Sequence, residues 1–216
     1  MNLKGKHIIL GSNSPRRREL LKGLDIDFEV DTGNNFQENF GPDVPYDKVP
    51  RLMSVGKSHG FHRPLAEDEI LITADTMVIL PPEGNRPGEI LGKPKDREDA
   101  LRMLWDLSGR EHHVTTAVTL RDSRREKTFD VTTQVWFKAL TEEEITYYVD
   151  TYKPFDKAGA YAIQEWIGHI GITRIEGSYF NVVGFPVQRV YEALLSFFPP
   201  AFSTLPAFPD VKSRWR

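Results

Sequence analysis

The chain has 216 residues, no cysteine and a formal net charge of −3. Disulfides, thiolate metal sites and a Cys nucleophile are therefore excluded, and the overall charge points to neither a nucleic acid polymer nor an anionic membrane. Hydrophobic residues make up 39% of the chain, enough for a substantial core. No stretch approaches the ~20 apolar residues of a membrane span, and Met1–His7 carries no apolar signal core. The expectation is a soluble, cytoplasmic protein with one domain over 1–198 and an irregular tail over 199–216.

Ile8-Ile9-Leu10 predicts a short buried strand, followed by a polar turn and a helix opened by Pro15 with Ser14 as its N-cap. Arg16, Arg17 and Arg18 then crowd the first helical turn, where the dipole is already positive. Such a breach of a local rule marks a functional site. Free amides, a positive helix end and arginines together describe an anion site, most simply for phosphate; the plainer alternative is a solvated basic face. Phe28-Glu29-Val30 predicts a strand and 31–48 a loop, whose Glu38 faces either a site or solvent. A helix is predicted over Pro50–His62, with Val49, Leu52, Met53, Gly56, Gly60 and Phe61 on one face. Lys57 borders that face, as a snorkelling side chain or as one pointing into a cleft.

Ile70–Leu80 is a nearly continuous apolar run, the pattern of a strand buried on both faces. Asp75 sits in its middle. A lone buried carboxylate is costly unless a cation or hydrogen bonds compensate it, so Asp75 is a site residue, half of a structural ion pair, or a break in the strand. Glu89–Pro94 predicts a strand ending in a Gly-Lys-Pro corner that holds Lys93 firmly. Asp96 caps a helix with the stripe Ala100, Leu101, Leu104 and Leu107, stopped by Gly109. Two antiparallel strands follow, over His112–Arg121 and Lys127–Leu140. The neighbours His112 and His113 point to opposite faces of a strand, which favours structural roles over a shared metal. Thr141 and Glu144 form a capping box for a helix reaching about Asp150.

Asp156–Gln164 has no clear period, combining two charges, small residues and a terminal amide able to read a base or sugar edge. Ile172–Ile175 predicts a strand, Gly177–Gly184 is a glycine-bracketed polar segment, and Pro186 opens a last helix. The P-loop and Gly-x-Gly-x-x-Gly patterns are absent. What remains is Arg16, Arg17, Lys57, Lys93 and Lys157 against Glu38, Asp75 and Asp156. Cations that clamp negative oxygens, with carboxylates that hold Mg2+ or activate water, suit a polyphosphate. The expectation is a metal-assisted phosphoryl or nucleotidyl hydrolase.

Ser12–Leu21, Ala74-Asp75-Thr76, Gly92-Lys93-Pro94, Leu107-Ser108-Gly109, Asp156–Gln164 and Gly177–Pro186 resemble, in order, the motifs of the Maf family. The resemblance implies nucleoside triphosphate pyrophosphatases with an α/β fold: an elongated mixed sheet flanked by helices, two lobes and a central cleft, akin to inosine-triphosphate pyrophosphatases. It also implies a divalent cation, Mg2+ or Mn2+, and a possible homodimer. By motif, Asp75 is the general base. Ser12, Arg17, Lys57 and Lys93 bind phosphate, Glu38 and Asp75 serve the metal, Asp156 and Lys157 support the site, and Arg16, Thr76 and Gln164 set specificity. Gln164 resembles the branch acting on dTTP and UTP; the 7-methyl-GTP branch carries Glu there. Hydrolysis of 7-methyl-GTP or modified nucleotides stays open, as does a nucleotide-binding regulator of cell division with little turnover. The chain departs from the pattern at Gly11, where Ala is usual, and at Lys153, where the family frequently has Glu.

Overall fold

The computed structural model describes residues 5–41, 43–84 and 87–198. The predicted tail over 199–216 lies outside them. Seven strands form one mixed sheet among these residues: β1 (His7–Leu10), β2 (Phe28–Val30), β3 (Glu69–Leu80), β4 (Glu89–Leu91), β5 (Glu111–Arg121), β6 (Glu126–Phe137) and β7 (Ile172–Glu176). The order is β2-β1-β3-β5-β6-β7, with β4 also on β3. The helices are α1 (Pro15–Lys22), α2 (Val49–His59), α3 (Arg97–Leu107), α4 (Glu142–Tyr152), α5 (Trp166–Gly171), α6 (Tyr179–Val183) and α7 (Val187–Leu195). The expected α/β class with a helix-flanked mixed sheet is present. None of these helices is long and apolar enough to cross a membrane.

β3 organises the sheet. Its first residues pair in parallel with β1 as far as Ile72, and its last pair antiparallel with β4 from Val78. On that edge, residues 73–77 have no strand beside them, while the other edge pairs without interruption to β5. The even-numbered residues of β3 share one face. Ile70, Ile72 and Ala74 enter one apolar core with Leu21, Phe185 and Val190. Val78 and Leu80 enter a second core with Leu104, Tyr148 and Ile167. Thr76 falls between them, and its Oγ1 is 2.9 Å from that of Thr116 on β5. Each core draws on its own helices, so the molecule has two packed halves joined by long strands.

Local chemistry sets most helix ends. Ser14 Oγ accepts from Arg17 N, Asp96 caps α3 through Asp99 N, and the Thr141–Glu144 capping box is complete. Four expectations need correction. The α2 helix stops at His59, because Gly56 and Gly60 lie tight against Phe36 and the Gly60 amide closes the last turn; Phe61 instead bridges to Asn34. Leu52, expected on the buried face of α2, is exposed. β6 ends at Phe137, where an irregularity between Trp136 and Phe137 breaks its register with β7. Finally, the glycine-bracketed polar segment Gly177–Gly184 contains the helix α6, and α5 falls where the sequence predicts no element; at 5 and 6 residues both are too short to show a helical period.

Gly168 on α5 packs so tightly that a Cβ there would lie 1.9 Å from the Ile163 carbonyl oxygen. Gly168→Ala must push α5 away from the segment ahead of it. The expected cost is about 1–3 kcal/mol or more, read as a lowered urea midpoint.

Candidate active site

The unpaired stretch of β3 opens onto a cleft. In open α/β sheets, such a change of strand partner leaves a crevice where ligands bind. Arg16 and Arg17 of α1, Glu38, Lys57 of α2, Asp75 and Thr76, Lys93 after β4, and Asp156, Lys157 and Gln164 all line it. Five cations thus face three carboxylates, in a chain whose overall charge is −3.

Asp75 does not break its strand; it is paired in register with Ala117 and only 8% exposed. Its Oδ1 accepts from Lys57 Nζ at 2.6 Å, and the same ammonium is 3.0 Å from Glu38 Oε1. Lys57 therefore does point into the cleft, and Glu38 faces the site. Burial raises the Asp75 pKa above its ordinary value, with Lys57 and Arg17 opposing and Glu38 adding to the rise.

Arg17 is occupied by the protein. Its Nε donates to the Gly184 carbonyl (3.0 Å), one terminal nitrogen to Ala74 O and Ser12 Oγ (2.9 and 3.2 Å), and the other to Thr76 Oγ1 (3.0 Å). It supplies the donor that a neighbouring strand would otherwise give to Ala74, and it ties α1 to the loop after α6. Burial lowers its pKa, and the Asp75 carboxylate opposes that fall. Ser12, expected as a phosphate ligand, is buried behind Arg17, where it accepts from Arg17 and from Ser14 N, and it is not a lining residue. Ser14 lines the cleft instead.

Arg16 reaches Asp156 Oδ2 at 3.4 Å, and Asp156 Oδ1 accepts from Lys157 Nζ at 2.7 Å. The segment bearing Asp156 docks onto the sheet edge through Gly159, whose N–H donates to Gly92 O at 3.0 Å. Gly159 has φ 67° and lies against Val78, a place and conformation suited to glycine. Lys157, two residues before Gly159, and Lys93, next to Gly92, both line the cleft. Lys93 and Gln164 are exposed and have no protein partner among the described residues. Arg18 is not simply solvated, since it donates to Asn13 O. Lys153 is exposed at the left-handed C-cap of α4 and does not line the cleft.

No group of three or more His, Cys, Asp or Glu side chains suited to a metal occurs among the described residues. His112 is fully buried, its Nε2 2.7 Å from the Tyr161 hydroxyl. Burial pulls its pKa down to about 3, so it stays neutral, in keeping with a structural role. Sequence reasoning gave no role to Gly184, whose carbonyl accepts from both Arg17 and Thr76. The only hint was the glycine bracket around residues 177–184.

The sheet, its change of strand partner and its cleft define an α/β protein with a preformed, cation-lined crevice at the open edge of its central strand. Residues 7–197 match the family model described as Maf-like protein, and the chain belongs to the Maf family. Its relatives include proteins named dTTP/UTP pyrophosphatase. That of Phocaeicola vulgatus is 46% identical over 193 residues, 89% of this chain and 97% of that protein. That of Porphyromonas gingivalis is 46% identical over 198 residues, 91% and 96%. Among solved structures, the Staphylococcus aureus Ham1 protein aligns with a TM-score of 0.47 and 15% identity, over 89% of this chain and 99% of that one.

Arg17→Lys keeps the charge but cannot span four acceptors on three segments. The expected loss is about 2 kcal/mol of unfolding free energy, together with lowered activity. Urea denaturation checks the first and the cleft's enzymatic assay the second.

Proposed function

We propose that this chain hydrolyses nucleoside triphosphates, dTTP and UTP foremost, to the monophosphate and pyrophosphate. The observation that carries this reading is the Asp75–Lys57–Glu38 cluster at the sheet's open edge, facing the unpartnered Lys93 and Gln164. Relatives of about 45% identity named dTTP/UTP pyrophosphatase support the same substrates.

The roles divide by chemistry. Lys93 and Lys57 hold the phosphates, with Arg17 completing the positive wall. Asp75 takes a proton from water as the water oxygen bonds to the α-phosphorus. The bond from that phosphorus to the bridging oxygen breaks, and pyrophosphate leaves with the electron pair against the lysines. Arg16, Thr76 and Gln164 lie on the base and sugar side. Gln164 can both donate and accept at a pyrimidine edge.

Asp75 and Glu38 also fit a divalent cation. Their oxygens converge on one point, the Lys57 ammonium, and Mg2+ is commonly held by one or two carboxylates together with substrate phosphates. These two residues would hold Mg2+ or Mn2+, which when bound draws negative charge off the phosphate oxygens. Asp156 and Lys157 act in support, by bracing Arg16.

The test is a panel of nucleoside triphosphates, 7-methyl-GTP included, with Mg2+ or Mn2+ and with products resolved. Pyrophosphate release fastest from dTTP and UTP is expected; none from any pyrimidine triphosphate would refute the reading. Asp75→Asn should abolish turnover. Because the folded-state pKa of Asp75 is raised, its charge opposes folding at neutral pH, a cost absent below about pH 3.8 where the group is protonated in both states. The variant's Tm should therefore not fall, as calorimetry can check.

The same shift sets a pH limb. The base must be ionised, so kcat/KM should drop toward low pH with a midpoint above the ordinary 3.8. A pH–rate profile measured on dTTP reads this directly.

A further inference from the structure

Gln164 stands between two residues that are tied to the same buried hydroxyl. Tyr148 on α4 is fully buried in the second core. Its hydroxyl oxygen accepts from the Ala162 amide at 3.3 Å, and its O–H donates to Glu165 Oε2 at 2.5 Å. Ala162 lies two residues before Gln164 and Glu165 one residue after it. A single core oxygen thus holds both flanks of the segment whose crest carries the free amide. Glu165 is itself divided: its other oxygen, Oε1, is 3.4 Å from Lys157 Nζ, which is buried beneath Asp156 and in contact with it. Asp156 in turn pairs with Arg16 on the opposite wall.

We propose that Tyr148 and Glu165 are positioning residues for base selection: they fix the segment that carries Gln164. This rests on the pyrimidine triphosphate reading of the cleft. Neither residue lines the cleft, so both act through the groups they hold. Gln164 can discriminate only if its amide keeps one orientation. An exposed glutamine has no such restraint of its own, since its side chain loses rotamer freedom on binding. Pinning its backbone on both sides fixes the point from which the side chain reaches, so that only its own rotamers remain to be ordered on binding. Lys57, Asp75 and Lys93 lie outside this hydrogen-bonded chain, so phosphate binding and proton transfer do not depend on it.

The test compares kcat/KM for dTTP, UTP and dATP in the wild type, Tyr148→Phe and Glu165→Gln, each alone and combined with Gln164→Ala. Each single variant should lower the pyrimidine-to-purine ratio about tenfold, with kcat on dTTP changed less than about threefold. In the Gln164→Ala background neither should lower the ratio further, because the group they position is gone. Equal losses on every base, or ratios that keep falling in the double variants, would overturn the proposal, as would a wild type without base preference. Glu165→Gln alters a partly exposed side chain and carries the test if Tyr148→Phe does not fold. If the wild type hydrolyses no triphosphate, the proposed function fails on that result alone. The dissociation constants of dTTP and dATP, measured by calorimetry, then decide the positioning: their ratio should collapse in both single variants, and an unchanged ratio refutes it.

Discussion

The site depends on a carboxylate held inside a sheet by one ammonium. Asp75 lies on a strand whose neighbours are almost all buried and apolar, and the Lys57 contact at 2.6 Å is its direct compensation. Without that cation, a charge at this depth would be paid for by protonation. With it, the carboxylate keeps a raised affinity for protons because burial still outweighs the pair. Such a balance suits a group that must take up a proton and release it again. It also explains why α2 lies where it does. The helix fixes Lys57 over the strand, and Ser54, one turn earlier, donates to Thr73 O and shares a hydrogen bond with Thr119.

The gap beside β3 does equal work. A strand flanked on both edges would spend its backbone groups on ladders and leave no room for a ligand. Here β1 ends at Leu10 opposite Ile72 and β4 ends at Leu91 opposite Val78, so the polar edge of residues 73–77 meets side chains instead. Arg17 fills part of it through Ala74 O. The breach of the helix-dipole rule at α1 has its reason in this gap. Arg17 tolerates the positive helix end because it is ringed by carbonyl and hydroxyl oxygens. Arg16 tolerates it because Asp156 stands opposite.

Much of this was legible in the chain, for reasons that differ from residue to residue. Asp75 stood out because a charge inside an apolar run has few explanations. Ser14, Asp96 and Thr141 were legible as caps because capping is chemistry between residues two or three apart. The open edge of β3 was not legible, since it is made by partners on either side that the strand itself does not encode. Arg17 illustrates the same limit: its acceptors at Ala74 and Gly184 are 57 and 167 residues away, so an arginine expected on phosphate proves to be largely committed to the fold. Leu52 misled because a helical period says which residues share a face, not how wide the buried stripe is. Tyr148 gave no signal at all, being one of three tyrosines on an ordinary amphipathic helix.

The cleft thus contains two kinds of polar group, and the difference between them bears on how it works. Lys57, Arg17, Lys157 and Asp156 are satisfied within the protein. They set a fixed electrostatic field at little further cost when a ligand enters, which is what preorganised sites require. Lys93 and Gln164 are exposed and unpartnered among the described residues, and both line the cleft: one offers a cation, the other an amide that can donate and accept. A ligand that satisfied both groups would be anionic at one end and hydrogen-bonding at the other.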